Sequence, residues 1–472
     1  MFLDFWRHLV SIVEELFKHE EIWVLLFLVG LGSVLVLFLP PIDFVALIKE
    51  LWWLWLFLIL FPAFHSLWLF WRQELFKSLE SDFRMVVLEM RIPREITKSP
   101  QAMEQILRSI YALRNVAGDL REKYWDGEIT VWFGLEIVTF GGEVHFYLRV
   151  PVKRRNLIEA AFFSYYTDVE LVEVPDYIDK LPKDIPETYA RDYDMWGSEM
   201  VLVRDDAYPI KTYPNFEQES VTEKKEVSLD PISTFIELLA NVKKEEVVGV
   251  QILIAPAAHD WARKWDKLIE ELQTPATMTV TAGETEEGSS SRQIPIARSP
   301  VQTDVLEAVE NNLAKPAFDT MIRFVYFSPK SIFYDSFARR GLSGVFNQYA
   351  ISNLNGFIQN YSVSTRTRIW NWPHIFPKWR NEYKKQRILY NYLRRECPPE
   401  TFMGRLITSY LLNWNFSSRR FQMNVEGIAT LFHPPTAAVL TAPHIKRLES
   451  RKAGPPSGLA IFGEEEEIEK YK

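Results

Sequence analysis

The chain begins with two long apolar runs separated by a short polar connection. The first run is Ile22–Leu39 and the second is Leu51–Trp71, and neither contains Asp, Glu, Lys or Arg. At 1.5 Å per residue, an α-helix of either length spans about 30 Å, which is the thickness of the hydrocarbon core of a bilayer. The pattern therefore predicts an amphipathic leader and a transmembrane hairpin over residues 1–78.

The charges that flank the two runs predict their orientation. Arg7 and Lys18 precede the first run, Arg72 and Lys77 follow the second, and the connection contains the single basic residue Lys49. Cytoplasmic flanks carry an excess of Lys and Arg. We therefore expect a two-pass protein of the inner (cytoplasmic) membrane, with both termini cytoplasmic and membrane lipid as a partner. The alternative is a pair of buried helices in a large globular core.

The hydrophobic period changes after the second run and predicts strands and helices in the order βαββαβ. Alternating or continuous apolar segments predict the strands, and apolar residues at helical spacing predict the helices. The elements are a strand at Met85–Ile92, a helix at Ser99–Gly118, a hairpin formed by Thr130–Phe140 and Glu143–Val150, a helix at Lys153–Tyr165 and a strand at Val169–Val174. This order is that of the split βαβ, or ferredoxin-like, fold, and it predicts a domain over residues 79–178.

A second α/β sandwich of related order is predicted over residues 179–360. Its elements are a helix at Pro231–Ala240, a strand at Val247–Ala255, a helix at Ala258–Leu272, a strand at Thr320–Phe327 and a long helix near Ile332–Leu354. An insertion at residues 274–300 has little apolar content and is predicted to be disordered. The fold class is thus α+β with two N-terminal transmembrane helices and tandem ferredoxin-like units, followed by a basic helical region at 361–423 and a junction with an acidic tail at 424–472.

The net charge of −8 conceals two regions of opposite sign. Acidic residues outnumber basic ones from Glu159 to Glu246, whereas Glu382 is the only acidic residue from Arg339 to Arg395. In the basic region, Trp and Tyr alternate with Lys and Arg, a composition that neutralises phosphates and stacks bases. The candidate phosphate-binding residues are Arg366, Arg368, Lys378, Arg380, Lys384, Lys385 and Arg387. They fit nucleic acid, anionic lipid headgroups, or a helix face that pairs with the acidic region of the same chain.

The sequence lacks the motifs of nucleotide binding and of common hydrolases. No G-x-x-x-x-G-K-[ST], G-x-S-x-G or H-E-x-x-H is present, and no G-x-G-x-x-G follows a predicted strand. Cys397 is the only cysteine, which excludes an intramolecular disulfide and any thiol-based metal cluster within one chain. We therefore expect a protein that is not an enzyme and that has neither a cofactor nor a metal. An enzyme with an unrecognised site remains an alternative.

Three short C-terminal segments carry a resemblance to a known family. They are Asn424–Pro435, which contains His433-Pro434-Pro435, then Thr441–Leu448, and then Arg451–Ser457, which reads Arg-Lys-Ala-Gly-Pro-Pro-Ser. These segments resemble the junction upstream of the motor domain in conjugation and type IV secretion ATPases of the HerA/FtsK class. The relevant forms come from small-genome bacteria and have an N-terminal hydrophobic hairpin and ferredoxin-like units.

The resemblance implies a portion of such a machine without its motor. No residue matches the ATP-binding positions of that family, so the implied function is a non-catalytic, membrane-anchored subunit of a type IV secretion-like or conjugation-like complex. Its implied partners are a separately encoded P-loop ATPase, DNA and further copies of the chain in a ring or collar. The residues implied for ATPase docking are His433, Pro434, Lys446, Arg447, Arg451 and Lys452. The alternative is a structural scaffold of an envelope or protein-secretion assembly without nucleic-acid contact.

Overall fold

A computed structural model describes most of the chain and shows an α+β protein. The described residues are 52–79, 84–93, 98–115, 119–222, 230–274, 277–281, 291–295, 298–368, 374–399, 401–409 and 417–436. Within these ranges the main element is a nine-stranded sheet in which every pairing is antiparallel.

Strands and helices alternate along the chain. The strands are β1 Met85–Arg91, β2 Phe133–Phe140, β3 Glu143–Pro151, β4 Glu170–Val174, β5 Tyr193–Leu202, β6 Val247–Pro256, β7 Thr277–Thr281, β8 Ser291–Pro295, β9 Ala317–Pro329, β10 Phe357–Gln359 and β11 Phe421–Asn424. The α-helices are α1 Trp52–Leu79, α2 Gln101–Ala112, α3 Arg155–Tyr165, α4 Ile185–Ala190, α5 Tyr213–Thr222, α6 Ser233–Ala240, α7 Asp266–Gln273, α8 Pro300–Leu313, α9 Ser343–Val345, α10 Pro377–Arg394, α11 Phe402–Ile407 and α12 Val425–Leu431.

The large sheet consists of two groups of four strands that meet edge to edge. Its order is β10-β5-β9-β6-β2-β3-β1-β4, and β11 pairs with β9 beside β5. Each group of four has the strand order of a split βαβ unit, and the groups join where β2 pairs with β6 along the full length of β2. The regions predicted as two separate domains, 79–178 and 179–360, therefore share one continuous sheet.

Alternating side chains of the strands form a core on each face of the sheet. On one face, Leu135 and Ile137 of β2 belong to a cluster that includes apolar residues of α2, α3, α6 and α12. On the opposite face, Val138 belongs to a second cluster that includes Tyr177 and residues of α4 and α10. Both faces of the sheet are thus covered, and α10 lies on the second face.

The described residues contain no helix that is both long enough and apolar enough to cross a membrane. The prediction of a two-pass inner-membrane protein, and of two transmembrane helices in the fold class, is therefore wrong. Residues 52–71 of the second apolar run lie within α1, which continues through charged residues to Leu79. This helix packs on protein, because Ser66 Oγ accepts a hydrogen bond from the Met403 amide at 2.9 Å and Trp68 donates to the Tyr124 carbonyl at 2.8 Å. The first run lies outside the described residues.

Two other segments differ from their predicted structure. In the insertion predicted to be disordered, β7 and β8 pair as an antiparallel hairpin. Where a long helix was predicted near Ile332–Leu354, the chain instead forms a π-helical turn at Phe337–Leu342, the short α9, and a 3-10 turn at Phe346–Tyr349. Gly341 and Gly344 lie inside this segment and lower its helix propensity.

Candidate anion-binding site

The basic helix α10 packs closely against the sheet. Its Ile388 side chain lies above Gly197 of β5, where a Cβ atom would be 3.1 Å from the Ile388 side chain. Its Tyr392 hydroxyl lies above Gly249 of β6, where a Cβ atom would be only 1.8 Å away. Glycine at position 249 therefore makes room for the tyrosine, and the inner face of the helix is inaccessible to a large ligand.

This packing buries four of the seven candidate phosphate-binding side chains. Arg380, Lys384, Lys385 and Arg387 are buried, whereas Lys378 at the start of the helix is exposed. The seven residues consequently do not form one exposed basic surface.

Two adjacent lysines of α10 have different electrostatic surroundings. Lys385 Nζ donates to Asp194 Oδ1 at 2.5 Å and to the Tyr189 hydroxyl at 3.0 Å. Burial alone would lower the pKa of Lys385, but these hydrogen bonds and the Asp194 charge raise it above its ordinary value. Burial lowers the pKa of Lys384 to about 8, and the positive charge of Arg380 acts in the same direction. Pairing with the acidic region of the chain is thus observed for Lys385.

Arg395, which follows α10, is held by two carboxylates from the first half of the chain. Its Nη1 donates to Asp176 Oδ2 at 2.6 Å, and its Nη2 donates to Asp176 Oδ1 at 2.9 Å and to Glu136 Oε2 at 3.0 Å. The Tyr177 hydroxyl also donates to Glu136 Oε2, at 2.6 Å. Burial would raise the pKa of Asp176, but its hydrogen bonds with Arg395 hold it below the ordinary value. Arg395 is therefore a structural arginine.

A row of polar side chains crosses six neighbouring strands of the sheet. Its members are directly opposed in the strand register and all are buried. They are Glu89, Tyr147, Glu136, Gln251, Arg323 and Glu199, on β1, β3, β2, β6, β9 and β5 respectively. Arg323 Nη2 lies 3.3 Å from Glu199 Oε1, and both side chains are completely buried. We call Arg395, Asp176 and this row the buried ionic network.

A cleft of about 570 Å³ lies on the other face of the sheet, near the edge formed by β5 and β10. Four arginines, Arg339, Arg340, Arg366 and Arg368, are among its lining residues, and none of the described residues that line it is Asp or Glu. Its other lining residues include Trp196, Phe357 and Tyr361. We call this the arginine cleft. It brings two of the predicted residues, Arg366 and Arg368, together with two arginines from the start of the basic region.

Backbone contacts with β5 hold the segment that carries Arg366 and Arg368. After β10, the Asn360 amide donates to the Glu199 carbonyl at 2.8 Å and the Thr365 amide donates to the Gly197 carbonyl at 3.1 Å. The Gly197 amide in turn donates to Thr365 Oγ1 at 3.0 Å. Both arginines therefore extend from a chain segment that is fixed to a strand.

The other two arginines belong to the π-helical turn Phe337–Leu342. Gln359 of β10 donates from Nε2 to the Arg339 carbonyl at 2.5 Å, which connects this turn to the edge of the sheet. Arg339 Nε lies 3.5 Å from Asp335 Oδ2, and Arg340 is exposed. Two separate segments thus present arginines to one cleft.

A second cleft of about 690 Å³ adjoins the first, and Trp196, Arg366 and Arg368 line both. We call it the mixed cleft, because it is lined by both acidic and basic residues. The acidic residues are Asp194, Asp335 and Glu382, and the additional basic residues are Lys378 and Lys385. Of the seven candidate phosphate-binding residues, Lys378 and Lys385 thus lie here, beside Arg366 and Arg368.

Four buried polar atoms, each in a residue that lines one of the two clefts, lack a hydrogen-bond partner among the described residues. They are Trp196 Nε1, Arg339 Nε, Thr367 Oγ1 and Asn381 Oδ1. Buried polar groups are nearly always hydrogen-bonded, so such atoms indicate a place for water or a ligand. Their location at the clefts, together with the four arginines, indicates a site for an anionic ligand.

The residues implied for ATPase docking do not form a described surface. His433 is buried, with its Nε2 2.9 Å from Asp230 Oδ1, and Pro434 is also buried. Burial would raise the pKa of Asp230, but the charge and hydrogen bond of His433 lower it to about 2. Lys446, Arg447, Arg451 and Lys452 lie outside the described residues. His433 therefore connects α12 to the segment before α6.

Some residues of the two clefts could not be identified as a site from the sequence. Arg339 and Arg340 are part of the basic region, but nothing in the sequence places them beside Arg366. Trp196 lies in an ordinary strand and Tyr361 in a turn, and only the pairing of β5 with β10 brings them together. In the described ranges, no group of His, Cys, Asp or Glu is arranged to hold a metal ion.

The fold defines an α+β protein with an arginine-lined cleft beside the edge of an antiparallel sheet. A family described as "Domain of unknown function (DUF8128)" matches residues 73–447, which is most of the chain, and the chain belongs to this family. No curated protein matches the sequence.

Proposed function

We propose that this protein is a non-catalytic DNA-binding subunit that holds the phosphates of DNA in the arginine cleft and acts together with a separately encoded P-loop ATPase. The observation that carries the proposal is the arginine cleft itself, in which four arginines and no described carboxylate line one concave surface. Arginine binds phosphate through several parallel hydrogen bonds, and neutralising phosphates supplies most of the affinity of sequence-independent DNA binding.

The arrangement of the four arginines supports this function better than the composition of the basic region does. Arg366 and Arg368 are two residues apart on a segment bound to β5, and Arg339 and Arg340 come from another segment. Phosphates of a nucleic acid strand repeat at regular intervals, so a ligand that engages both segments carries more than one negative charge. A polyanion satisfies this condition.

The ATPase partner is supported by the sequence resemblance alone. Because His433 and Pro434 are buried, we expect docking to use other residues of the chain. Affinity purification of the tagged full chain from its native cells, followed by mass spectrometry, tests this partner. Recovery of one P-loop ATPase in stoichiometric amounts supports the proposal, and failure to recover any removes the ATPase from it.

The DNA-binding test compares two double variants of the full chain that lose the same charge. R366Q/R368Q removes two cleft arginines, whereas R121Q/R263Q removes two exposed arginines that do not line either cleft. We expect the first to weaken binding to a labelled DNA oligonucleotide and to lower the slope of log K against log salt by about 0.7 for each lost phosphate contact. Fluorescence anisotropy at several salt concentrations measures both quantities.

One result of this comparison would contradict the proposal. If R366Q/R368Q and R121Q/R263Q bind DNA equally, the arginine cleft is not the binding site. The favoured alternative is then a scaffold without nucleic-acid contact. The packing of α10 supports that alternative, because Lys385 pairs with Asp194 and because Lys384 and Arg387 are buried.

A further inference from the structure

We infer that the arginine cleft and the mixed cleft together hold an unpaired nucleotide of single-stranded DNA, with its phosphates on the arginines and its base stacked on Tyr361. This inference rests on the proposed function and specifies the form of DNA that the site takes. Three observations support it. They are the size of the clefts, the exposed aromatic ring of Tyr361 beside the arginines, and the buried polar atoms of lining residues that lack a hydrogen-bond partner among the described residues.

The volumes of the two clefts match a small ligand unit. They measure about 570 and 690 Å³, within the range of about 300–1,000 Å³ that is typical of small-molecule sites. In a duplex, the bases are stacked inside and cannot enter such a cleft until they are unpaired. A cleft of this size beside four arginines therefore fits one or two nucleotides of a single strand.

Tyr361 supplies a surface on which a base can stack. It lies in the turn after β10, lines the arginine cleft and is 69% exposed. Proteins that bind single strands combine a basic groove with exposed aromatic side chains on which bases stack. Tyr361 is five residues before Arg366, so ring and guanidinium are presented by the same fixed segment.

Trp196 supplies a hydrogen-bond donor where the two clefts meet. The side chain is 3% exposed, and its Nε1 has no hydrogen-bond acceptor among the described residues. A buried indole N–H normally has an acceptor, so a ligand oxygen or nitrogen at the junction satisfies it. In the mixed cleft, Asn381 Oδ1 is an acceptor that likewise lacks a partner in the described ranges, which suits an amino group of a base.

The experiment compares single-stranded and duplex DNA of the same sequence. A fluorescein-labelled 20-nucleotide strand, alone or annealed to its complement, is titrated with the full chain. We expect the wild-type protein to bind the single strand more tightly than the duplex. Tyr361→Ala is expected to weaken single-strand binding about 5- to 150-fold, the effect of losing one stacked base, and to leave duplex binding unchanged.

Two further variants separate stacking from general damage. Tyr361→Phe keeps the ring and is expected to bind like the wild type, whereas Tyr165→Ala removes a partly exposed tyrosine that lines neither cleft and is also expected to bind like the wild type. Trp196→Phe removes the N–H donor together with one of the two fused rings, and keeps one aromatic ring in the core. We expect it to weaken single-strand binding about 2- to 12-fold, the effect of one hydrogen bond.

The outcomes distinguish this inference from the proposed function. If duplex binds as tightly as single strand, or if Tyr361→Ala binds like the wild type, the inference is wrong. The proposed function still stands in that case, provided that R366Q/R368Q weakens binding to either form of DNA. If R366Q/R368Q binds both forms like the wild type, the proposed function and the inference are both wrong.

Discussion

The buried ionic network and the arginine cleft use the same side chain in opposite surroundings. In the network, Arg395 has two carboxylates, Glu136 and Asp176, within hydrogen-bond distance, and its side chain is 3% exposed. In the cleft, four arginines line a concave surface without a described carboxylate. Each arginine of the network has a carboxylate partner within the chain, whereas we propose that an external anion binds in the arginine cleft.

This difference shows that the number of basic residues in a region does not measure its capacity to bind phosphate. Removing one partner of a buried ion pair leaves an uncompensated charge, which costs several kcal/mol. Removing an arginine that faces solvent alters stability little and ligand affinity strongly. We therefore expect the same type of substitution to have different effects in the two regions. In the buried ionic network it should lower stability strongly, and in the arginine cleft it should lower ligand affinity strongly.

The largest effect on stability is expected for Arg395→Met. It leaves the buried Glu136 and the half-buried Asp176 without their cation and should lower the free energy of unfolding by about 3–5 kcal/mol. Arg394→Met removes a charge from the neighbouring position, which is exposed, and should change stability by less than about 0.5 kcal/mol. Urea unfolding followed by circular dichroism measures both variants.

A triple variant keeps this prediction testable if Arg395→Met does not fold. Arg395→Met, Glu136→Gln and Asp176→Asn together remove the charges of the cation and of both carboxylates that pair with it. We expect the triple variant to be more stable than Arg395→Met alone. Equal stability of the two would show that the arginine does not act by pairing with these carboxylates.

The adjacent lysines Lys384 and Lys385 of α10 sharpen the comparison further, because of these two only Lys385 has a carboxylate partner among the described pairs. Burial lowers the pKa of Lys384 to about 8, below the value near 10.5 of an unfolded chain. The charge on Lys384 therefore lowers the stability of the fold. The whole of this cost is present below pH 8, and it disappears as the pH rises from 8 to 10.5. Lys384→Met should stabilise the protein by about 2–3 kcal/mol at pH 7.

The pH dependence of that variant provides its control. Thermal unfolding at pH 7 and at pH 10 should show that the advantage of Lys384→Met shrinks at the higher pH. Lys385→Met should instead destabilise the protein, since it leaves Asp194 without its hydrogen bond. An advantage of Lys384→Met that is the same at both values of pH would show that packing, and not charge, is responsible.

Six strands of the sheet, β1 to β4, β6 and β9, could be predicted from sequence because each carries apolar residues toward a core, whereas β5 was not predicted. In β2, Leu135 and Ile137 point to one core and Val138 to the other, so the apolar run is nearly continuous. In contrast, β10 has three residues and β11 has four, which is too few for a periodic pattern. The junction of the two four-stranded groups at β2 and β6 was also beyond prediction, since no local residue pattern determines which edges pair.

The site depends on contacts that the sequence separates widely. Arg395 and Glu136 are 259 positions apart, so composition could identify a basic region but not its partners. For the same reason, the sequence could give Arg366 and Arg368 as candidate phosphate ligands but could not indicate Trp196. The second apolar run gave a wrong membrane prediction because hydropathy does not reveal contacts with protein, such as the hydrogen bonds of Ser66 and Trp68 in α1.

A smaller effect, of about 2 kcal/mol, is expected for the buried pair Asp230–His433. The pKa of Asp230 is about 2 in the folded protein and near 3.8 when unfolded, so the carboxylate contributes stability above pH 4. This contribution is lost as the pH falls from about 4 to about 2. Asp230→Asn should therefore be less stable than the wild type at pH 6, and the difference should narrow at pH 3. A constant difference would show that the charge of Asp230 is not responsible.

The smallest effect on stability is expected for R366Q/R368Q, at less than about 0.5 kcal/mol. Arg366 is half-buried and Arg368 is exposed, and both line the arginine cleft, in which we propose that a ligand binds. The same arrangement predicts that adding DNA raises the melting temperature of the wild type and not that of the variant, because a ligand stabilises only the protein that binds it. A variant that loses as much stability as Arg395→Met, or that is stabilised by DNA like the wild type, would remove the distinction between the two regions. The arginine cleft would then be part of the framework of the fold, as the buried ionic network is.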